Sequence, residues 1–156
     1  MNLSQEQLRS LFTQWYEGAH PTISHFSAGE ILSTCQNKKK GVYNSVPPIH
    51  LWANILPTIH LLDAVRKELG YPLYLNSVHR NPAYNKAIGG SPKSMHMRFN
   101  AIDFCGKRGK PKDWAEAVMV QRTLGVSVGG VGTYPGFVHA DTRDNWKGRV
   151  HTTWTG

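Results

Sequence analysis

The stretch SMHMRFNAID, residues 94–103, decides how this chain is interpreted, because it combines a histidine with an aspartate among apolar residues. Asp103 follows Ala101 and Ile102 and precedes Phe104, so a strand through this segment would bury the carboxylate. A buried carboxylate is costly unless a hydrogen bond or an opposite charge compensates it. We therefore expect Asp103 either to cap a turn or to hold a charge.

Two histidines are candidates to join Asp103 in a metal site. His96 lies in the loop before the Asp103 strand, and His139 lies in the predicted strand GFVHADTR. Zinc in catalytic sites takes three protein ligands from histidine and carboxylate side chains and leaves one position for water. Two neighbouring strands can bring such side chains to one point on a sheet face. Spacing alone gives weak support, because histidine and aspartate at this separation are more often unrelated.

The segments around this stretch predict helices first and then strands with inserted helices. Ser4 and Ser27 each begin a capping-box pattern, and a long helix is predicted over residues 49–69. Further helices are predicted at 82–88 and 110–125, and strands at 71–78, 100–106, 127–134, 136–143 and 149–154. This order indicates an α+β fold in which N-terminal helices pack on a small, mostly antiparallel sheet that carries the zinc site.

Length and composition indicate one domain over residues 1–156, with 40% hydrophobic residues for its core. No apolar run approaches the roughly 18 residues that a membrane-spanning helix needs. The amphipathic N-terminus does not have the pattern of a secretory signal peptide, so we expect synthesis in the cytoplasm. Cys35 and Cys105 are expected to be free thiols, with a single bridge as the alternative.

The chain is basic, with 18 lysines and arginines, 10 acidic residues and a formal net charge of +8. A basic surface suits nucleic acid, anionic lipid or an anionic cell-wall polymer. The run NKKKG is interpreted as a solvated loop. No motif interleaves aromatic and basic residues, so a nucleic-acid-binding function rests on charge alone and is not expected.

The block NSVHRNPAYNKAIGGSPKSMHMRFNAIDF, residues 76–104, resembles the central block of the zinc D-Ala-D-Ala carboxypeptidases. These belong to a metallopeptidase group that includes lysostaphin-type enzymes and the hedgehog signalling domain. Both blocks contain a strand that ends in arginine, then Asn-Pro-x-Tyr-Asn, Gly-Gly, Ser-x-His and a following aspartate. GGVGTYPGFVHADTR and ISHFSAGE resemble two further family segments. The resemblance covers residues 23–150 and leaves 1–22 as an N-terminal helical extension.

The resemblance implies one zinc ion per chain, with His96, Asp103 and His139 as its ligands. It also implies that Arg80 is a fixed cation near the developing negative charge, and the alternative is an ordinary arginine that pairs with a carboxylate. Ser94 is expected either to bind substrate or orient a ligand, or to cap a turn. The Gly-Gly pair is expected to form a tight turn with positive φ.

Two departures from the family pattern affect the site. Phe99 and Asn100 stand where the family has small residues, so the backbone is expected to follow a different path there. Many relatives carry an acidic general base three residues before the last histidine, and this chain has Gly136. Loss of a general base typically lowers a rate by roughly 10²–10⁴-fold.

Asp141 is the predicted substitute for the missing acidic residue. It lies two residues after His139, so on a strand the two side chains share a face. Asp141 is predicted either to act as the general base or to orient His139 as a zinc ligand. His79 is predicted as a further ionisable residue near the cleft, in a substrate-binding or supporting role.

The function that the resemblance implies is cleavage of D-amino-acid-containing peptide bonds in the stem peptides of bacterial peptidoglycan. The enzyme would be a zinc-dependent carboxypeptidase or endopeptidase that acts at the cell wall. The expected lack of a signal peptide fits a phage endolysin that depends on a holin-type partner, and a monomer is favoured. The alternative is a non-catalytic zinc-containing binding protein on the same fold.

Overall fold

A computed structural model describes residues 2–19, 25–143 and 152–156. Helices predominate in the first half of the chain, and the second half contains strands with inserted helices. The helices are α1 Gln5–Ala19, α2 Ala28–Ile31, α3 Leu56–Leu69, α4 Pro82–Ala87 and α5 Pro111–Thr123. The strands are β1 Lys38–Lys39, β2 Val42–Tyr43, β3 Leu73–Ser77, β4 Ala101–Gly106, β5 Gly130–Tyr134, β6 Phe137–Asp141 and β7 Thr152–Thr155. Short 3-10 helices cover Ser33–Gln36, Ile49–Ile55 and Met95–Arg98.

Both predicted capping boxes are confirmed. The Ser4 backbone N–H donates to Gln7 Oε1 at 2.8 Å, and the Gln7 N–H donates to Ser4 Oγ at 3.1 Å. Ser27 and Glu30 make the same reciprocal pair before α2. These bonds satisfy N-terminal donors that have no partner within the helix.

The helix predicted over residues 49–69 is divided into a 3-10 segment and α3. Pro57 explains the division, because it has no backbone N–H to continue an α-helical hydrogen bond to Ala53. The Ala53 carbonyl accepts instead from the Leu56 N–H. The predicted end is confirmed, since Gly70 closes α3 in the left-handed conformation at φ 70°.

Five strands form the main sheet in the order β3-β4-β6-β5-β7. All neighbours are antiparallel except β5 and β7, which are parallel at one edge. The predicted α+β fold with a mostly antiparallel sheet is therefore confirmed. The run NKKKG differs from prediction, because Lys38–Lys39 and Val42–Tyr43 pair as a small exposed hairpin instead of an unstructured loop.

The alternation of β4 and β6 separates the core from the candidate site. Ile102, Phe104 and Val138 are fully buried members of the hydrophobic core. Asp103 lies between Ile102 and Phe104, and His139 lies between Val138 and Ala140, so both side chains point to the opposite face of the sheet. The backbone pairing places these two residues directly opposite each other.

The N-terminal helix α1 packs its aromatic residues into the same core. Phe12 is 0% exposed and Tyr16 is 2% exposed. Leu11 is 39% exposed, because the side of α1 that meets the core carries Phe12 and Tyr16 instead. Cys35 and Cys105 are both free thiols. No helix formed by the described residues combines the length and apolar composition needed to cross a membrane.

Candidate metal centre

The three predicted ligands converge on one point at the face of the sheet. His96 Nε2 lies 3.0 Å from Asp103 Oδ1, and His139 Nδ1 lies 2.8 Å from the same oxygen. The ligand atoms all lie within 4.8 Å of one another, and all three residues are buried. Asp103 and His139 are brought together by cross-strand pairing, and His96 by the 3-10 helix that precedes β4.

Hydrogen bonds on the far side of each imidazole fix which nitrogen faces the cluster. The Val78 carbonyl can only accept, so His96 Nδ1 donates to it at 2.7 Å. His139 Nε2 donates to Asp141 Oδ2 at 2.9 Å. His96 Nε2 and His139 Nδ1 are therefore the nitrogens that face Asp103, and each can bind a metal once it is deprotonated. Two imidazole nitrogens and one carboxylate oxygen, each oriented from behind, are a donor set that suits zinc.

The electrostatics of the cluster keep Asp103 ionised. Burial acts to raise its pKa, but hydrogen bonds with His139 and His96 hold the pKa of Asp103 well below its usual range. Burial lowers the pKa of His96. For His139, burial also acts to lower the pKa, but the bonds to Asp103 and Asp141 outweigh it and raise the pKa. The cluster thus combines an ionised carboxylate with two histidines, and metal binding would displace any proton that they share with Asp103.

Arg80 lies beside this cluster. Its Nη2 donates to Asp103 Oδ2 at 2.5 Å, and its Nε donates to Ser77 Oγ at 2.8 Å. The pairing with Asp103 matches the alternative in which the arginine simply balances a carboxylate. The guanidinium also lines the cavity in front of the cluster, so both predicted roles agree with its position.

A cavity of about 720 Å³ opens in front of the cluster. Its lining includes three cationic and three aromatic side chains: Arg80, Lys93, Arg143, Tyr134, Phe137 and Trp154. Asp103 is the one carboxylate among the described residues that line it. The aromatic wall was missed by sequence reasoning, because it is built from β5, β6 and β7, whose adjacency no local pattern reveals. The alternating glycines of GGVG were the available signal, since strand glycines often mark a close approach.

Asp141 lies behind His139 and not in the cavity wall. It is 0% exposed, and its oxygens accept from His139, Arg143 and the Gly130 N–H. The arginine and histidine contacts hold the pKa of Asp141 well below its usual range, although burial alone would raise it. Of the two predicted roles, this geometry supports the orienting one. The general-base role stays a prediction that the geometry does not favour, because Asp141 does not line the cavity and both of its oxygens already accept hydrogen bonds.

Comparison with known families settles the relationship. Residues 24–141 match the peptidase M15 family. This chain belongs to the peptidase M15 family. The predicted resemblance to the zinc D-Ala-D-Ala carboxypeptidases is thereby confirmed, and the chain is placed among the metallopeptidases. No curated protein and no solved structure gave a match. The matched region contains all three candidate ligands, whereas α1 and β7 lie outside it.

Two further predicted residues occupy different positions relative to the M15 site. Ser94 lines the cavity, and its hydroxyl does not cap the following 3-10 helix, so the turn-cap alternative is not supported. His79 does not line the cavity and is 2% exposed. Its Nδ1 bonds to the Ser45 carbonyl, and burial lowers its pKa to about 4. This position does not favour a direct substrate contact by His79, and its supporting role stays a prediction.

The departure from the M15 pattern at Phe99 has a structural reason. Phe99 closes the 3-10 helix that carries His96 in the left-handed conformation, at φ 55° and ψ 39°. Glycine adopts this conformation without strain, whereas another residue incurs roughly 1–2 kcal/mol. The buried Phe99 ring contacts His79 and Phe12 at centroid distances of 5.8 and 5.9 Å. Aromatic burial thus offsets the strain at the turn.

The turn before His96 follows the predicted pattern in part. Gly89 has φ 77°, as expected for a tight turn. Gly90 has another reason to be glycine, because an added Cβ would lie 2.2 Å from Asn85 Oδ1. Of the other histidines, His25 pairs with Asp63 at 2.6 Å, and His20 and His151 lie outside the described residues.

Proposed function

We propose that this M15 peptidase is a zinc-dependent hydrolase of D-amino-acid-containing peptide bonds in the stem peptides of bacterial peptidoglycan. The observation that carries the proposal is the buried cluster of His96, Asp103 and His139 at one side of an open cavity. Family membership gives this cluster its chemistry, and the cavity gives a substrate access to it.

The metal would be held by His96 Nε2, Asp103 and His139 Nδ1. When bound, zinc lowers the pKa of a water ligand toward neutrality and polarises the scissile carbonyl. The Val78 carbonyl and Asp141 hold the two imidazoles in the tautomers that this requires. These bonds keep the ligands oriented before substrate arrives, so little reorganisation is needed during the reaction.

Arg80 is the residue that we propose stabilises the negative charge that develops on the substrate carbonyl oxygen. Its guanidinium is fixed by Ser77 and Asp103 and faces the cavity. A pre-oriented cation of this kind favours the transition state over the ground state. Ser94, in the same cavity wall, is proposed to contact the substrate backbone.

The charge of the cavity supports an anionic peptide as substrate. Lys93 adds an exposed cation to a lining that already contains Arg80 and Arg143. The net charge of +8 on the whole chain would also raise its encounter rate with an anionic cell wall. We propose the cell wall as the site of action. A phage endolysin that acts as a monomer and is released by a holin-type partner is the setting that we favour.

One observation favours a second function on the same fold. Asp103 is the only carboxylate among the described residues that line the cavity, and Gly136 supplies no side chain to the β5–β6 turn. A zinc-containing binding protein has no need of a general base. This alternative predicts that the pure protein contains zinc and binds peptidoglycan without releasing any fragment.

Digestion of purified peptidoglycan, followed by mass spectrometry of the soluble fragments, tests the proposal. We expect fragments from the wild type and from His60→Ala, an exposed histidine on α3 that serves as the matched control. We expect none from His96→Ala, with folding checked by circular dichroism. Release of single amino acids would indicate a carboxypeptidase, and release of larger peptides an endopeptidase. Identical fragment profiles for the wild type and His96→Ala would end the enzyme hypothesis.

A further inference from the structure

The edge strand β7 lies beyond the region that matches the M15 family, yet it reaches the metal centre. Thr152 and Trp154 of this strand line the cavity. We infer that Trp154 is a positioning residue that holds the candidate ligand His139 and its partners in place. This inference rests on the proposed function, because it concerns the same metal centre.

The sheet register brings Trp154 next to His139. Gly132 on β5 pairs with His139 on one side and with Trp154 on the other. Residues paired across neighbouring strands share a face of the sheet. The side chains of His139 and Trp154 therefore lie on one face, and only Gly132, which has no side chain, stands between them. The indole and imidazole rings meet across this position, with centroids 5.4 Å apart and an interplanar angle of 46°.

Two glycines provide the space in which the indole lies. A Cβ at Gly132 would fall 2.5 Å from Trp154 Cε2 and Nε1, and one at Gly130 would fall 2.8 Å from Trp154 Cζ3. A Cβ atom does not approach the heavy atoms of a packed side chain this closely. The alternating glycines of β5 therefore allow the indole to lie flat against the strand and to reach the ligand on β6.

Trp154 also contacts the residues that hold His139 from behind. Its Nε1 donates to Tyr134 Oη at 2.8 Å, which fixes the indole in the cavity wall. The Arg143 guanidinium lies 5.3 Å from the indole centroid and donates to both oxygens of Asp141. Asp141 in turn accepts the His139 Nε2 proton. The indole therefore contacts both Arg143 and His139, the two residues that Asp141 joins by hydrogen bonds.

The candidate ligand His139 is therefore held from two sides, by Asp141 on one and by the Trp154 indole on the other. Charge-assisted hydrogen bonds are stronger where water is excluded, and the indole covers part of this network from the cavity. It also restricts tilting of the His139 ring, whose two nitrogens contact Asp103 and Asp141. Loss of partners that orient a metal ligand typically lowers metal affinity by roughly 10–100-fold.

Zinc affinity, measured by competition with a chromophoric chelator, tests this role without any peptidoglycan. We expect affinity to fall by roughly 10–100-fold in Trp154→Ala and by a smaller factor in Trp154→Phe, which keeps an aromatic ring. Gly132→Ala should also weaken binding, because its new Cβ displaces an intact indole. Thr153→Ala, an exposed residue of the same strand that does not line the cavity, is the matched control and should bind zinc as the wild type does.

Substitution of Co²⁺ adds a readout of ligand geometry. The visible spectrum of the Co²⁺ protein should change in Trp154→Ala and Gly132→Ala and stay unchanged in Thr153→Ala. The inference is overturned if Trp154→Ala and Gly132→Ala lose thermal stability but keep wild-type zinc affinity and Co²⁺ spectra. If Trp154→Ala does not fold, Trp154→Phe and Gly132→Ala decide the outcome. Failure of the proposed function would instead appear as a wild type that binds zinc but releases no fragments.

Discussion

The two described segments outside the M15-matched region, α1 and β7, are attached to the molecule in opposite ways. Helix α1 buries Phe12 and Tyr16 in the hydrophobic core, and none of its residues lines the cavity of the metal centre. Strand β7 leaves most of its side chains exposed and places Trp154 in the cavity wall. The first segment therefore contributes to the stability of the fold, and the second to the geometry of the site.

A segment therefore affects the site through its position in the sheet, not through the amount of surface that it buries. Phe12 contacts Phe99, three residues after His96, but it does so from the core side. Trp154 contacts His139 directly from the cavity side. We expect changes in α1 to alter the free energy of unfolding and changes around β7 to alter zinc affinity. Four substitutions test this separation.

Phe12→Ala should produce the largest effect on stability. The ring is fully buried and touches Trp52 and Phe99, so its removal should lower the free energy of unfolding by about 3–5 kcal/mol. Denaturant titration measures this loss. Zinc affinity of the folded protein, measured well below the denaturation midpoint, should remain at the wild-type value. A tenfold loss of zinc affinity would show that α1 and β7 do not differ as we describe.

Phe99→Gly should lower the free energy of unfolding by about 2–4 kcal/mol, because the lost aromatic packing exceeds the relieved left-handed strain. Combined with Phe12→Ala, its effect should be less than additive, since the two rings are in contact. A double-mutant cycle by denaturant titration measures this coupling. Strict additivity would contradict the packing that links α1 to the turn after His96.

Asp141→Asn should lower zinc affinity by roughly 10–100-fold, equivalent to about 1.4–2.8 kcal/mol, because the His139 Nε2 proton loses a charged acceptor. Chelator competition measures this change, and peptidoglycan digestion at saturating zinc measures any separate effect on catalysis. Substantial activity at saturating zinc is expected for an orienting residue. Wild-type zinc affinity together with abolished activity would return Asp141 to the role of general base.

Tyr16→Phe should have the smallest effect. The Tyr16 hydroxyl donates to the Phe26 carbonyl at 2.9 Å in a buried setting, and a hydrogen bond of this kind contributes about 0.5–1.5 kcal/mol. Tyr74→Phe, at an exposed position on β3, is the matched control and should leave the free energy of unfolding unchanged. Equal denaturation midpoints for the two variants would show that the hydrogen bond from Tyr16 to Phe26 does not stabilise the fold.

Local patterns explain what could be predicted from the sequence. The helix starts at Ser4 and Ser27 depend on residues three positions apart, and both are present in the structure. The ligand cluster was predicted because His96 and Asp103 share one short segment and the family pattern supplies His139. The convergence of Asp103 and His139 then follows from a single antiparallel pairing between β4 and β6, and the short 3-10 helix before β4 adds His96.

Non-local packing explains what could not be predicted. The position of Trp154 depends on a parallel pairing at the sheet edge, which no spacing in the sequence indicates. The burial of His79 depends on contacts with Ser45 and Phe99, which are distant in the chain. The exposure of Leu11 follows from which side of α1 meets the core. In each case tertiary contacts select one orientation of the side chain, and the local sequence does not distinguish it from the alternatives.

Metal removal and restoration tests whether His96, Asp103 and His139 hold a zinc ion that is required for peptide cleavage. The wild type should contain one zinc per chain, lose fragment release from purified peptidoglycan after treatment with a chelator, and regain it on addition of Zn²⁺. Mg²⁺ should not restore it, because a site with two imidazole ligands does not suit that ion. Undiminished fragment release from the metal-stripped protein would contradict the account.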